Sequence, residues 1–506
     1  MPDASSAGPL VPELDAVVIG TGFAGLGMAI KLKQAGIDKF VVFERGAEVG
    51  GTWRDNHYPG CACDIPSHLY SFSFEPNPDW TRMYPNQPEI YAYLKRCADK
   101  YGIRPYIRFN TEVVEAVYDR AGDFWRVRTG AGDSFTARIV VSGMGGLSRP
   151  AYPKIAGLDS FEGKAFHSAE WDHDYDLAGK NVAVIGTGAS AIQFVPEVAK
   201  QVGKLHLFQR TAPWVVQRLD RPFSERERKL FRWLPGYRWL LRKSIYWRNE
   251  FLALGFVVNP NILRKAAGPA LKFLEAMVPD PALRAKVTPK YTLGCKRILI
   301  SNDYYPALAR PNVEVVTEGI KEIRAHSVVT EDGVERPVDA IIYGTGFRAT
   351  DILTPVKVIG RDGVDLNEAW RKGVESYLGI TVAGYPNWFM LVGPNTGLGH
   401  NSMVFMIEAQ IRYVMSCLKL MRRRGARAID VKPQVQSAFN ADIQHRLTGT
   451  VWASGCKSWY LDENGKNTTL WPGFTFQYWA RTRRVAERDF TLSKTGWPAE
   501  MVQAAE

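Results

Sequence analysis

Two glycine-rich turns constrain this chain more than any other feature. The first follows the apolar run Asp15 to Ile19 and carries Gly20, Gly22 and Gly25; the second follows Asn181 to Ile185 and carries Gly186, Gly188 and Ala191. Both are Gly-x-Gly-x-x-Gly/Ala patterns at a predicted strand-to-helix junction. Small residues there let the backbone approach a pyrophosphate, which sits on the helix N-terminus. In the second turn Ser190 and Gln193 are further candidate contacts. A single pattern of this kind is weak. Two in one chain, with Gly186 lying 166 positions after Gly20, predict two dinucleotides, one to deliver electrons and one to hold them.

The residues ending the following strands separate the two. A predicted strand Phe40 to Phe43 ends at Glu44, 24 positions after Gly20, where a carboxylate accepts hydrogen bonds from ribose hydroxyls. FAD fits this unit. In the second unit the strand ends at Gln209, Arg210 and Thr211, and Arg210 stands 24 positions after Gly186. An amide and a guanidinium in place of an acid remove repulsion and offer a bidentate partner to a 2′-phosphate. NADPH is therefore expected there.

Three further stretches carry a family resemblance. They are Gly51-x-Trp53-x4-Tyr58-Pro59-Gly60-x3-Asp64, Phe161-x-Gly163-x3-His167-x3-Trp171-Asp172, and Lys296-Arg297 within an apolar surround. Together they resemble the fingerprints of the type I Baeyer–Villiger monooxygenases, over almost everything from Asp15 to about Arg484. The resemblance implies an FAD- and NADPH-dependent enzyme that uses O2 to convert an apolar ketone to an ester or lactone through a C4a-peroxyflavin. It places Thr52, Trp53 and Asn395 near the flavin and Arg297 as the cation stabilising the peroxide. Asp64 would orient that arginine, and Lys296 would help hold the 2′-phosphate. The Phe161–Asp172 stretch becomes a linker, with His167 organising domain geometry rather than acting as a base. Trp53 stands where flavoprotein disulfide reductases carry a redox cysteine, which excludes dithiol chemistry. An N- or S-oxidising flavin monooxygenase is the alternative, and a non-catalytic flavin redox sensor a third.

The fold class expected is α/β with two Rossmann-like domains. A discontinuous FAD domain would span residues 12–148 and 338–506, interrupted by an NADPH domain at 149–337 with a helical insert at about 214–290. The chain's 506 residues leave room for both. Residues 1–12 read as a frayed tail without a signal peptide's pattern, and no apolar run approaches the roughly 18 residues that span a bilayer. The six cysteines include no Cys-x-x-Cys pair, which points to reduced thiols in a cytoplasmic protein; Cys61 and Cys63 read as buried thiols, not as metal ligands. The net charge of +12 concentrates in Arg218 to Arg248, where Trp233, Trp239 and Trp247 are interleaved. The favoured reading is a solvated basic face with its tryptophans in the core or lining a tunnel; weak peripheral contact with anionic membranes is the other. No nucleic-acid motif is present. Oligomeric state is not legible.

Overall fold

The computed structural model describes residues 11–348, 353, 355–456, 458–462 and 464–493. Most of the expected N-terminal tail lies outside them. In the first unit β1 (Leu14–Ile19), β2 (Phe40–Phe43) and β3 (Ile107–Arg108) lead into a meander of β4 (Val113–Asp119), β5 (Phe124–Thr129) and β6 (Ser134–Ser142). The sheet runs Lys357–Ile359, β4, β5, β6, β1, β2, β3, and the strand Trp388–Met390 lies parallel to the C-terminal end of β6. Alternation along β1 serves two cores at once. Ala16 and Val18 face the helix-covered side, while Val17 and Ile19 pack with Trp125, Val358 and Trp388 on the other. A strand buried on both faces therefore reads as an unbroken apolar run.

In the second unit β7 (Lys164–His167), β8 (Asn181–Ile185) and β9 (Lys204–Phe208) join two later strands in the order Val313–Val316, β9, β8, Ala340–Tyr343, β7, all parallel. This corrects one expectation. A boundary at residue 338 puts Ala340–Tyr343 in the first domain. That strand instead joins Val313–Val316 in completing the second sheet, with Ile342 paired to both Val184 and Phe166. An isolated apolar tetrapeptide carries no record of its sheet. The chain rejoins the first sheet at Lys357–Ile359.

The two crossings run side by side. Pro150 bridges Phe347, Ala151 N–H donates to Gly346 O (2.9 Å), and Arg348 N–H donates to Arg149 O (3.1 Å). The helical insert comprises Glu225–Trp233, Pro235–Val257, Asn261–Met277 and Pro281–Val287. A Ser224/Glu227 capping box starts the first of these and Asp280 caps the last. Val215–Val216 pairs with Leu299–Ile300, so the insert leaves and returns at one place. Its tryptophans contradict the reading that put them in a core or tunnel: Trp233, Trp239 and Trp247 are all exposed. Among the described residues no helix is long and apolar enough to cross a membrane.

Candidate active site

The two glycine turns are built alike. Gly20 has φ +92° and Gly186 has φ +111°, a region that side chains rarely adopt. A Cβ on Gly20 would meet Gly143 O at 2.8 Å, and one on Gly186 would meet Gly344 O at 2.4 Å. In both units the chain leaving a neighbouring strand lies over the turn. Gly22 and Gly188 differ. A Cβ on Gly188 would meet nothing within 4 Å, and one on Gly22 only Gly51 Cα, at 3.8 Å. The helices that follow, Phe23–Gln34 and Ala191–Val198, have neither a capping side chain nor an acid in the first turn. Open space beside uncapped N–H groups suits a pyrophosphate. Ala191, at the third position of the second motif, lies against Gly344.

Beyond the turns the units diverge. Glu44 is buried, and its Oε2 accepts from the Thr21 N–H (3.0 Å) and hydroxyl (2.6 Å). Its Oε1 accepts from Gly46 N–H (2.8 Å) and Arg54 Nη1 (2.7 Å), so all four acceptor positions are taken. Arg54, also held by Asp55 and Glu48 O, is a partner that sequence reading missed. Gln209 is buried and donates to Lys286 O (2.9 Å). Arg210 and Thr211 are exposed, and Thr211 O accepts from the Thr187 hydroxyl (3.3 Å). Lys296 stands over the Tyr291 ring at 4.9 Å. Partial burial and the nearby Arg210 lower its pKa. Two cations thus share one place.

Gly50 and Gly51 pack on the first turn, and their positive φ carries the chain into the one-turn helix Thr52–Asp55. Trp53 is buried and its indole N–H donates to the Tyr70 hydroxyl (3.1 Å). Arg297 reaches this region from just before the insert's exit strand. Its Nε and Nη2 both donate to Asp64 Oδ2, at 3.1 and 2.5 Å, and both side chains stay 32% accessible, so the pair lines an opening. Asp64 raises the arginine's pKa against the opposing effect of burial, which keeps a permanent cation there. Tyr460, buried beside the pair, has its hydroxyl pushed up to about 12, chiefly by burial.

Sequence reading missed Tyr460 because nothing in its aromatic-rich stretch singles it out. A disulfide, Cys295–Cys456, ties the Arg297 segment to the Tyr460 segment across 161 residues. This corrects the expectation of reduced thiols throughout: the fold brings the two Cα atoms to 6.2 Å, which no spacing pattern announces. Cys61, Cys63, Cys97 and Cys417 are free and buried, and burial pushes the Cys61 thiol up to about 12. Among the described residues no cluster of His, Cys, Asp and Glu could hold a metal.

Two of the expected cofactor contacts, Gln193 and Asn395, also hold protein segments together. Gln193 clamps the units together: its Oε1 accepts from Tyr58 OH (3.0 Å) and Ala62 N–H (3.3 Å), and its Nε2 donates to Ala62 O (2.9 Å). Gly60 permits the approach, since a Cβ there would lie 2.5 Å from Gln193 O. The Asn395 amide donates to Asn467 O (2.9 Å) and Leu470 O (3.1 Å), fixing the C-terminal tract. Ser190 precedes the second unit's helix as its N-cap residue. A cleft of about 660 Å³ between the units is lined by His57, Tyr58, Gln193, Arg218 and Asp303, and does not include Arg297.

The linker fingerprint lies at the crossings. His167 is fully buried, its Nδ1 accepts from Ala169 N–H (3.1 Å), and its ring packs on Tyr152 and Phe347, one from each crossing. Burial lowers its pKa. Trp171 packs on Phe166 and Phe194, Asp172 pairs with Lys164 (2.5 Å), Phe161 is partly buried, and Gly163 lets Asp339 O approach.

Comparison with known proteins agrees with this geometry. The family model for pyridine nucleotide-disulphide oxidoreductases matches residues 17–224. A Baeyer–Villiger monooxygenase of Pseudomonas aeruginosa is 54% identical over 480 residues, covering 94% of this chain and 91% of the relative. Among solved structures, a steroid monooxygenase bound to NADP superposes with a TM-score of 0.86 at 32% identity, covering 95% of this chain and 99% of that one. OTEMO in complex with FAD and NADP superposes with a TM-score of 0.87 at 28% identity, covering 96% and 100%. The chain belongs to the Baeyer–Villiger monooxygenase family.

Proposed function

We propose that this enzyme uses NADPH, FAD and O2 to convert an apolar ketone to an ester or lactone, with Arg297 as its principal charged group. The observation carrying the reading is the Arg297–Asp64 pair, beside Tyr460 and beside Tyr70, whose hydroxyl holds the Trp53 indole. FAD belongs to the first unit. There the open space at Gly22 would take the pyrophosphate, and the ribose would displace Arg54 from Glu44, Arg54 keeping Asp55 and Glu48 O as partners. NADPH belongs to the second unit, with Arg210 and Lys296 at the 2′-phosphate. Bound flavin, once reduced, supplies the oxygen-activating chemistry.

The protein's part is charge and placement. Asp64 takes two of the five guanidinium N–H groups, fixing the plane and leaving three for other partners. A preorganised cation there stabilises negative charge developing on the ketone oxygen as its carbonyl is attacked. The neighbouring carboxylate keeps the arginine protonated and moderates its field. The disulfide ties the segment that carries Arg297 to the one that carries Tyr460.

The test is turnover of the flavin-loaded protein with NADPH, labelled O2 and a panel of cyclic, linear and aromatic ketones, read by mass spectrometry. One labelled oxygen in an ester or lactone supports the reading. Oxidised amines or sulfides with every ketone inert would replace it with the N- or S-oxidising alternative.

A further inference from the structure

Helix Pro235–Val257 has two apolar faces. One packs inward through Ile245, Ala253 and Phe256. The other faces solvent: Leu240 is 60% exposed, Trp247 48%, Phe251 69% and, at the C-cap, Val258 59%. At 3.6 residues per turn these four fall within about 40° of one line. An ordinary surface helix is polar along that line.

The stripe continues beyond the helix. Trp247 meets Phe476 of the helix Thr475–Arg481, with ring centroids 6.2 Å apart, and both Phe476 and Trp479 are exposed. Its charges have one sign. Lys243 and Arg248 flank the stripe and are exposed. Arg412 and Arg483 lie over the Trp479 ring at 4.7 and 5.4 Å. Between Trp233 and Asn261 the single acidic residue is Glu250, which is buried and occupied by Asn401 and Thr475. Between Phe474 and Ala486 there is none. A second copy docked on this face would bring like charges together. Exposed tryptophan and aliphatic side chains rimmed by Lys and Arg match the boundary of an anionic bilayer instead.

We propose that this face rests on an anionic lipid surface, with the helix parallel to the membrane plane. Leu240, Trp247, Phe251 and Val258 enter the acyl boundary, and Lys243, Arg248, Arg412 and Arg483 meet headgroup phosphates. The inward face of the same helix bears on the Arg297 region: Phe256 packs on Trp452 at 5.9 Å, and a Cβ on Gly294 would lie 3.3 Å from the Phe256 ring. If the ketone reading above holds, the helix is the wall between a lipid-dissolved substrate and the site.

The test is flotation of the flavin-loaded full-length protein with phosphatidylcholine vesicles, with and without phosphatidylglycerol, at low and high salt. The protein should float with the anionic vesicles only, and salt should release it. Leu240→Ser combined with Phe251→Ser should weaken partitioning at least about tenfold, and Lys243→Gln combined with Arg248→Gln should remove the preference for phosphatidylglycerol. Trp247 emission should shift to the blue on binding. Flavin absorbance checks that each variant has folded, and the readout does not depend on ketone turnover. Wild-type protein that stays with the pellet at every composition would overturn the proposal. So would equal flotation of the serine variant, or a dimer in light scattering that this variant dissolves.

Discussion

The two nucleotide turns are the same backbone solution with opposite electrostatics. In each, a glycine at positive φ lies under a carbonyl from the neighbouring strand's exit, Gly143 over Gly20 and Gly344 over Gly186. At the next strand end the first unit buries an anion, Glu44, surrounded by four donors, while the second exposes a cation, Arg210, with Lys296 nearby. Shape is set by sterics and is common to both. On the proposed reading nucleotide choice rests on a few side chains, so it can be altered without disturbing the turn.

The largest effect should come from attacking the shared backbone. A Cβ on Gly25 would lie 1.9 Å from Gly20 O, so Gly25→Ala must move the main chain. It should cost about 3 kcal/mol or more and leave protein depleted of flavin, as thermal unfolding and absorbance would show. Gly188→Ala is the contrast, since its Cβ meets no protein atom within 4 Å. Its unfolding temperature should match wild type while the KM for NADPH rises. Equal destabilisation by the two substitutions would break the distinction between structural and ligand-facing glycines.

Next comes the contact pressing the insert on the first unit. Burial, then Arg238 and Arg242, lower the pKa of His68 from 6.5 to about 4. Between those values the unfolded chain binds the extra proton, so the stability is fully present above pH 6.5 and lost as pH falls toward 4. The loss should be about 3 kcal/mol, seen by denaturant titration across that range and flattened by His68→Gln.

Smaller and more selective is Arg210→Ala. It should raise the KM for NADPH roughly thirtyfold, about 2 kcal/mol, and leave that for NADH unchanged. Lys296→Ala should change the same ratio only a few-fold, and the double variant should fall short of the product of the two. An unchanged NADPH preference in Arg210→Ala would remove the electrostatic half of the comparison.

What was legible follows the same division. Both turns, Glu44, Arg210 and the meander came from local rules, because a positive φ or a buried strand restricts residue type where it stands. The Arg297–Asp64 pair, 233 positions apart, was reached through family fingerprints; nothing local joins an arginine near a cysteine to an aspartate after a Tyr-Pro-Gly turn. The sheet membership of Ala340–Tyr343, the Cys295–Cys456 bond and Tyr460 stayed hidden for one reason. Each is defined by a partner far along the chain. Gln193 is read as a cofactor contact from its place in the second glycine motif and Asn395 from the family resemblance; neither source tells that their amides also hold protein segments to one another. The exposed stripe was obscured because tryptophan and leucine are more often interior.

The most direct measurement is the amount of ester formed per NADPH oxidised, compared between wild type, Arg297→Lys and Arg297→Ala. Wild type should couple the two nearly one to one. Arg297→Ala should keep oxidising NADPH and release hydrogen peroxide, with ester falling at least about a hundredfold, the scale of losing a preorganised charge. Arg297→Lys should lie between them. Unchanged ester formation in Arg297→Ala would contradict the account.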